Sequence, residues 1–114
     1  MIPQGRYGHT CNSYTNGIII FGGARYFNHI RKERRCLNDV IYFNALTYDF
    51  TTLNTWGDIP ENRRSHTSVI IGKTLFIHGG VDKFGNFLSD LCLLDLVSKL
   101  WKNTLIYNEK DIVI

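Results

Sequence analysis

The side chains with chemistry to offer in this sequence of 114 residues are four histidines, three cysteines, and arginines and aspartates that recur between its two halves. His9 and His66 each follow an arginine by three positions, Arg6 and Arg63, and the two sets stand 57 positions apart. A metal site needs closely spaced ligands such as H-x-x-H, and neither these two nor His29 and His78 provide one. His9 and His66 are therefore expected to be buried polar groups, each with a hydrogen-bond partner. Cys11, Cys36 and Cys92 make an odd count without C-x-x-C spacing. That pattern argues against a disulfide framework and for free thiols in a reducing, cytoplasmic compartment. No nucleophile context surrounds them and no paired carboxylates suggest acid–base work. No catalytic residue, metal or cofactor is assigned.

The doublets Gly22-Gly23 and Gly79-Gly80 do not read as a phosphate cradle, because no G-x-x-x-x-G-K-[ST] motif follows and no helix start is available to hold an anion. Arg6 and Arg63 are expected to lay their stems on a sheet and give their heads to loop carbonyls. Asp39 and Asp90 are expected to cap turns ahead of a strand.

The elements that must position these residues are short strands. Ile18-Ile19-Ile20-Phe21 runs into Gly22-Gly23, and Leu75-Phe76-Ile77-His78 runs into Gly79-Gly80 at the same offset of 57. Pro3-x-x-Arg6-x-x-His9-Thr10 recurs as Pro60-x-x-Arg63-x-x-His66-Thr67. Apolar runs of this length read as buried strands, and the glycines supply backbone angles that a side chain resists. The first copy predicts strands over 9–14, 18–21, 40–43 and 55–59, with a tight turn at Asn16-Gly17 and a long polar loop over 24–37. The second copy predicts strands over 67–71, 74–78, 90–94 and 100–104, with a shorter loop over 81–87. No apolar spacing of 3.6 residues is sustained, so the chain reads as all-β. From Asp39 to Trp56 is 17 residues against 11 from Asp90 to Trp101, which reads as a longer third-strand region in the first copy.

The bulk numbers fit a folded domain: 44% hydrophobic and 13% aromatic residues exclude a disordered tail. A formal net charge of +3 is too small to argue for nucleic acid. No apolar run reaches the roughly 18 residues that a membrane-spanning helix needs, and no signal peptide is visible.

The order P-x-x-R-x-x-H, apolar strand, glycine doublet, long loop, aspartate-led strand and tryptophan resembles the kelch repeat, present as two consecutive copies over most of the chain. The resemblance implies two four-stranded antiparallel blades of a kelch-type β-propeller, a partial propeller. Residues 3–59 would form the first blade and 60–105 the second, with 106–114 starting a further strand or tail. Trp56 and Trp101 would fill the core between blades. Propellers typically need four to eight blades to close, so the remaining blades are expected from a longer parent chain, the commoner arrangement, or from oligomerisation.

Kelch propellers serve as protein-interaction modules, and the resemblance places binding at loops around the ring entrance. Arg25, Tyr26, Asn28, Arg31, Arg34 and Arg35 would share that surface with Arg63, Arg64 and Ser65 of the next blade and with Phe84. Such a basic, aromatic surface suits an acidic peptide, because guanidinium forks pair with carboxylates. A solvated loop without a ligand is the plainer reading. The rivals from other classes are a propeller enzyme similar to galactose oxidase or the sugar epimerases, a targeting domain fused to a catalytic domain such as a phosphatase, and a nucleic-acid surface with a steep salt dependence.

Overall fold

The structure, a computed structural model, describes residues 3, 5–28 and 33–104, with the backbone alone described at 26–28 and 33–34. The described residues contain strands and no helix. Four strands form the first sheet: β1 (Thr10–Tyr14), β2 (Gly17–Phe21), β5 (Val40–Asn44) and β6 (Asp49–Thr52), in the order β1-β2-β5-β6. Every pairing in it is antiparallel. Between β2 and β5 the chain makes a separate two-stranded ribbon, β3 (Ala24–Asn28) with β4 (Glu33–Cys36). The long loop expected over 24–37 is thus mostly a β-hairpin.

The second sheet repeats the pattern with β8 (Thr67–Ile71), β9 (Thr74–His78), β10 (Leu91–Asp95) and β11 (Leu100–Asn103). A fifth strand, β7 (Trp56–Gly57), lies parallel on the outer edge of β11. The expectation that 55–59 closes the first sheet is corrected here. That segment leaves the first sheet and covers the exposed edge of the second, and β6 is the fourth strand of the first.

Local turn chemistry explains the shift. In both copies the residue ending the third strand accepts two backbone N–H bonds from the turn that follows. Asn44 Oδ1 takes them from Leu46 and Thr47 at 2.8 and 3.3 Å, and Asp95 Oδ1 from Val97 and Ser98 at 2.8 and 3.0 Å. Tyr48 and Lys99 then adopt φ values of 62° and 61° to turn the chain back. The hairpins are therefore equivalent, and Phe50, not Trp56, is the counterpart of Trp101. Both follow their aspartate by 11 residues, so the third-strand region is not longer in the first copy. The extra six residues lie between the glycine doublet and the aspartate, in the β3–β4 ribbon.

The core sits between the two sheets. Ile19, Phe21 and Val40 from the first sheet meet Leu75, Ile77, Cys92, Leu94, Leu96 and Trp101 from the second. The Phe21 ring lies 5.5 Å from that of Trp101 and edge-on to His66 at 5.1 Å. Trp101 is fully buried and its Nε1–H donates to Thr55 Oγ1 at 3.0 Å, under the incoming connector. Trp56, on the edge strand β7, is 58% exposed, against the core position expected for it. Its Nε1–H donates to the Ser98 carbonyl at 3.0 Å.

The two tryptophans should therefore respond differently to truncation. Trp101→Ala is expected to cost about 3–5 kcal/mol by leaving a core cavity, and Trp56→Ala less than about 1 kcal/mol. Urea unfolding of both variants, followed by far-UV circular dichroism, measures the difference; equal losses would contradict the assignment.

Candidate interaction face

Each copy of the arginine–aspartate set builds the same ion pair. Arg6 Nη1 and Nη2 donate to the two carboxylate oxygens of Asp39 at 2.7 and 3.0 Å, and Nη1 also reaches the Gly22 carbonyl at 3.1 Å. Arg63 repeats this with Asp90 at 2.5 and 2.8 Å and the Gly79 carbonyl at 3.0 Å. Its Nε–H adds a bond to the Glu61 carbonyl at 3.1 Å. The aspartates are thus partners of the arginines, beyond the turn-capping role expected of them. Burial works against the Asp90 carboxylate, but the hydrogen bonds and charge of Arg63 outweigh it and hold Asp90 below the usual carboxylate range.

The glycine doublets stand in matching surroundings. Gly22 and Gly23 have φ of 67° and 95°, and Gly79 and Gly80 have 69° and 102°. A Cβ on Gly23 would come within 2.8 Å of the Tyr7 carbonyl and 2.9 Å of the His9 Cβ. On Gly80 it would meet the Arg64 carbonyl at 2.7 Å and the His66 Cβ at 3.0 Å. Besides backbone angle, the glycines make room for the strand connector that carries each R-x-x-H motif.

His66 is buried at the seam between the sheets, with Nε2 2.9 Å from Thr10 Oγ1 of the opposite sheet. Burial, then the nearby Arg63 charge, lowers its pKa to about 4. His9 occupies the same backbone position but is exposed, since no sheet packs against that side of β1 among the described residues. His66 is thus buried with a side-chain partner, whereas His9, for which burial was also expected, is exposed. Cys92 is buried with its pKa pushed up to about 12 by burial and by the Asp90 charge, so it has no thiolate to offer.

Main-chain bridges tie the connectors of both sheets along one side of the molecule. Tyr7 bridges Ala24, Leu37 bridges Arg63, and Arg64 bridges Val81. Gly23 N–H also donates to the Arg63 carbonyl at 2.8 Å. This brings together the β3–β4 ribbon, the connector around 61–66 and the loop 81–87. Ser65 and Arg35 are exposed there, Arg25 and Arg64 are half-buried, and Phe84 is exposed with Lys83 Nζ 5.0 Å from its ring centre. The Nε atoms of Arg25 and Arg64 are buried without an acceptor among the described residues. Glu61, Asn62, Asp82, Lys83 and Phe84 line a cavity of about 270 Å³.

Arg63 does not belong to this accessible surface, since its side chain is fully buried in the scaffold ion pair. The backbone at Tyr26, Asn28 and Arg34 lies in the β3–β4 ribbon, and Arg31 lies outside the described residues. The cavity beside Phe84, with Glu61 and Asp82 on its wall, is a feature that sequence reasoning missed. Its residues belong to two connectors far apart in the chain, and no motif announces them. Among the described residues no three histidine, cysteine, aspartate or glutamate side chains gather to hold a metal ion. No helix among them is long and apolar enough to cross a membrane.

Two equivalent all-β units packed face to face, each pinned by an arginine–aspartate fork beside a glycine doublet, define a segment of a β-propeller. The model of the KLHDC2/KLHL20/DRC7 kelch-repeats domain matches residues 1–111, and the chain belongs to that family. A probable serine/threonine-protein kinase of Dictyostelium discoideum is 37% identical over 81 residues, covering 69% of this chain and 6% of the relative. Kelch domain-containing protein 3 of Bos taurus is 27% identical over 103 residues, 89% of this chain and 25% of the relative. The chain thus spans a quarter or less of the length of these curated relatives. The solved structure of YjhT superposes with a TM-score of 0.70 at 16% identity, over 87% of this chain and 37% of that one, and shares the fold.

The buried groups set the response to acid. His66 has a pKa near 4 in the folded chain and about 6.5 unfolded, so the unfolded chain takes up the proton first. Stability is full above pH 6.5 and falls by up to about 3 kcal/mol as pH drops towards 4. His66→Gln should flatten that decline, as read from denaturation midpoints between pH 7 and 4. Removing the carboxylate by Asp90→Ala strands a buried guanidinium and should cost about 3–5 kcal/mol at pH 7.

Proposed function

We propose that this chain is part of a kelch propeller that binds a protein partner through the face formed by its connectors, and that an acidic peptide is the ligand chemistry that fits. The two blades are taken as 3–59 and 60–105, with β7 at the end of the first crossing to the edge of the second sheet; the further strand or tail expected over 106–114 lies outside the described residues. The observation that carries this reading is the row of main-chain bridges that holds the connectors of both sheets on one side. Mobile loops would present scattered charges; stitched connectors present them in a fixed arrangement, which lowers the entropic cost of binding.

The basic part of that face is the β3–β4 ribbon, which carries Arg25, Arg34 and Arg35; Arg31, between them in sequence, lies outside the described residues. Tyr26 and Asn28 share the ribbon, and Arg64, Ser65 and Phe84 come from the second copy. Arg63 drops out of the contact set because its fork is already engaged by Asp90. Glu61 and Asp82 put two carboxylates beside Phe84, so an acidic ligand is expected along the ribbon and not inside that cavity. No cofactor, metal, membrane or nucleic acid is part of this reading.

The relatives support a modular role. A similar segment occupies a small part of a protein described as a probable kinase and a quarter of one described by its kelch domain. This segment is read as a non-catalytic docking unit, working in the cytoplasm.

Reversing Arg31, Arg34 and Arg35 together to glutamate in the intact protein tests the proposal. Partner capture that weakens with added salt in the wild type should be lost in the variant, while the melting temperature stays within a few degrees. Capture that is insensitive to both salt and the triple substitution would remove the basic ribbon from the binding surface.

A further inference from the structure

The cavity beside Phe84 is built wholly from the second copy. One wall is Glu61 and Asn62, from the connector that enters that copy; the other is Asp82, Lys83 and Phe84, from the loop between β9 and β10. Hydrogen bonds fix both walls. The Glu61 carbonyl accepts from Arg63 Nε at 3.1 Å, and the Pro60 carbonyl from Asn38 Nδ2 at 3.1 Å. Asp82 Oδ1 accepts the N–H groups of Phe84 and Asn86 at 2.9 Å each. The contact between successive copies passes elsewhere. The first copy receives the next connector at Leu37, and the counterpart of Leu37 is Leu88, whose N–H likewise donates to the second glycine of its doublet. Leu88 is not part of the cavity.

We propose that this cavity takes a basic side chain of the protein partner, an arginine or a lysine, laid on the Phe84 ring with its charge shared by the Glu61 and Asp82 carboxylates. The proposal rests on the reading of this side as the binding face. The chain itself supplies the sign of the ligand: Lys83 Nζ lies 5.0 Å from the Phe84 ring centre, so the ring already holds a cation. The ion pairs among the described residues are those of Arg6 with Asp39 and Arg63 with Asp90. Lys83 has none there, and its ammonium is a loosely held stand-in that a partner's side chain can replace. Phe84 is 76% exposed among the described residues, which leaves most of its ring for a ligand.

Size and charge agree with that occupant. About 270 Å³ lies just under the roughly 300–1,000 Å³ of small-molecule pockets, and suits one long side chain better than a metabolite. Hydrogen bonds from Asn86 and Phe84 hold the Asp82 carboxyl below the usual carboxylate range, so it is charged at neutral pH. A guanidinium or ammonium gains from ring and carboxylates together, whereas a carboxylate is repelled. A partner with an acidic stretch on the β3–β4 ribbon and a base in this cavity is held in one direction only.

Fluorine NMR of the intact protein, with Phe84 replaced by para-fluorophenylalanine, provides the test. The probes are N-acetyl-arginine amide and N-acetyl-lysine amide, with N-acetyl-glutamine amide as the neutral control. At least one basic probe should shift the single fluorine resonance saturably, and the tighter of the two names the preferred base. Glu61→Gln combined with Asp82→Asn, which keeps the Oδ1 acceptor of the turn, should weaken binding about threefold or more. Lys83→Ala should tighten it, because the built-in ammonium no longer competes. These probes do not touch the β3–β4 ribbon, so their result is separate from that of the Arg31, Arg34 and Arg35 substitution. No saturable shift, an equal shift with the glutamine probe, indifference to the two carboxylates, or weaker binding in Lys83→Ala overturns the proposal.

Discussion

The buried fork of Arg63 on Asp90 is the interaction on which the rest of this structure depends. A guanidinium removed from water is tolerated only if its donors are engaged, and here Nε, Nη1 and Nη2 all find oxygen acceptors. Those acceptors come from three places: the connector at Glu61, the end of β9 at Gly79, and the residue before β10. The backbone of the same residue joins the first sheet, through Leu37 and Gly23. One residue therefore fixes where the connector crosses, how β9 ends and where β10 begins. The glycine doublets follow from this. A connector held that tightly against the sheet leaves no room for a Cβ at Gly22, Gly23 or Gly80.

That dependence explains why the repeat tolerates change where it does. Between glycine doublet and aspartate the chain only has to leave the fork and return to it. The first copy spends six more residues there and makes the β3–β4 ribbon; the second makes a turn in which Asp82 Oδ1 accepts the N–H groups of Phe84 and Asn86. Both return to an aspartate in the same geometry. Length variation is confined to the side that carries the connectors, while the hairpins on the opposite side keep their spacing and their Asx-type turns.

Much of this was legible in the residues themselves. The glycine doublets, the R-x-x-H motifs and the apolar runs located β1, β2, β8 and β9 because each is a local pattern repeated at a fixed offset. The pairing of arginine with aspartate was not read, although both recur, because their separations differ by the loop extension: 33 residues in the first copy and 27 in the second. Aligning the two tryptophans misled for a physical reason. Trp56 and Trp101 look alike in sequence, but one belongs to an edge strand supplied by the preceding blade and the other to the core. The asparagine and aspartate that end β5 and β10 were the better guide, since their side chains build the turn that sets the fourth strand. The fate of His9 depends on a covering sheet, which no local pattern reports.

The division of labour among the arginines follows from the same logic. Arg6 and Arg63 recur in register, and the scaffold consumes both. Arg25 and Arg35 have no counterparts in the second copy, because they lie in or beside the extension that only the first copy has. Charges at repeat-matched positions answer a demand that every blade makes, so they say little about a ligand. Charges in the unmatched ribbon answer no such demand, and they stand on the side where the bridges hold the connectors still. In a fold built from copies, the departures from the copy are where a specific partner can be recognised.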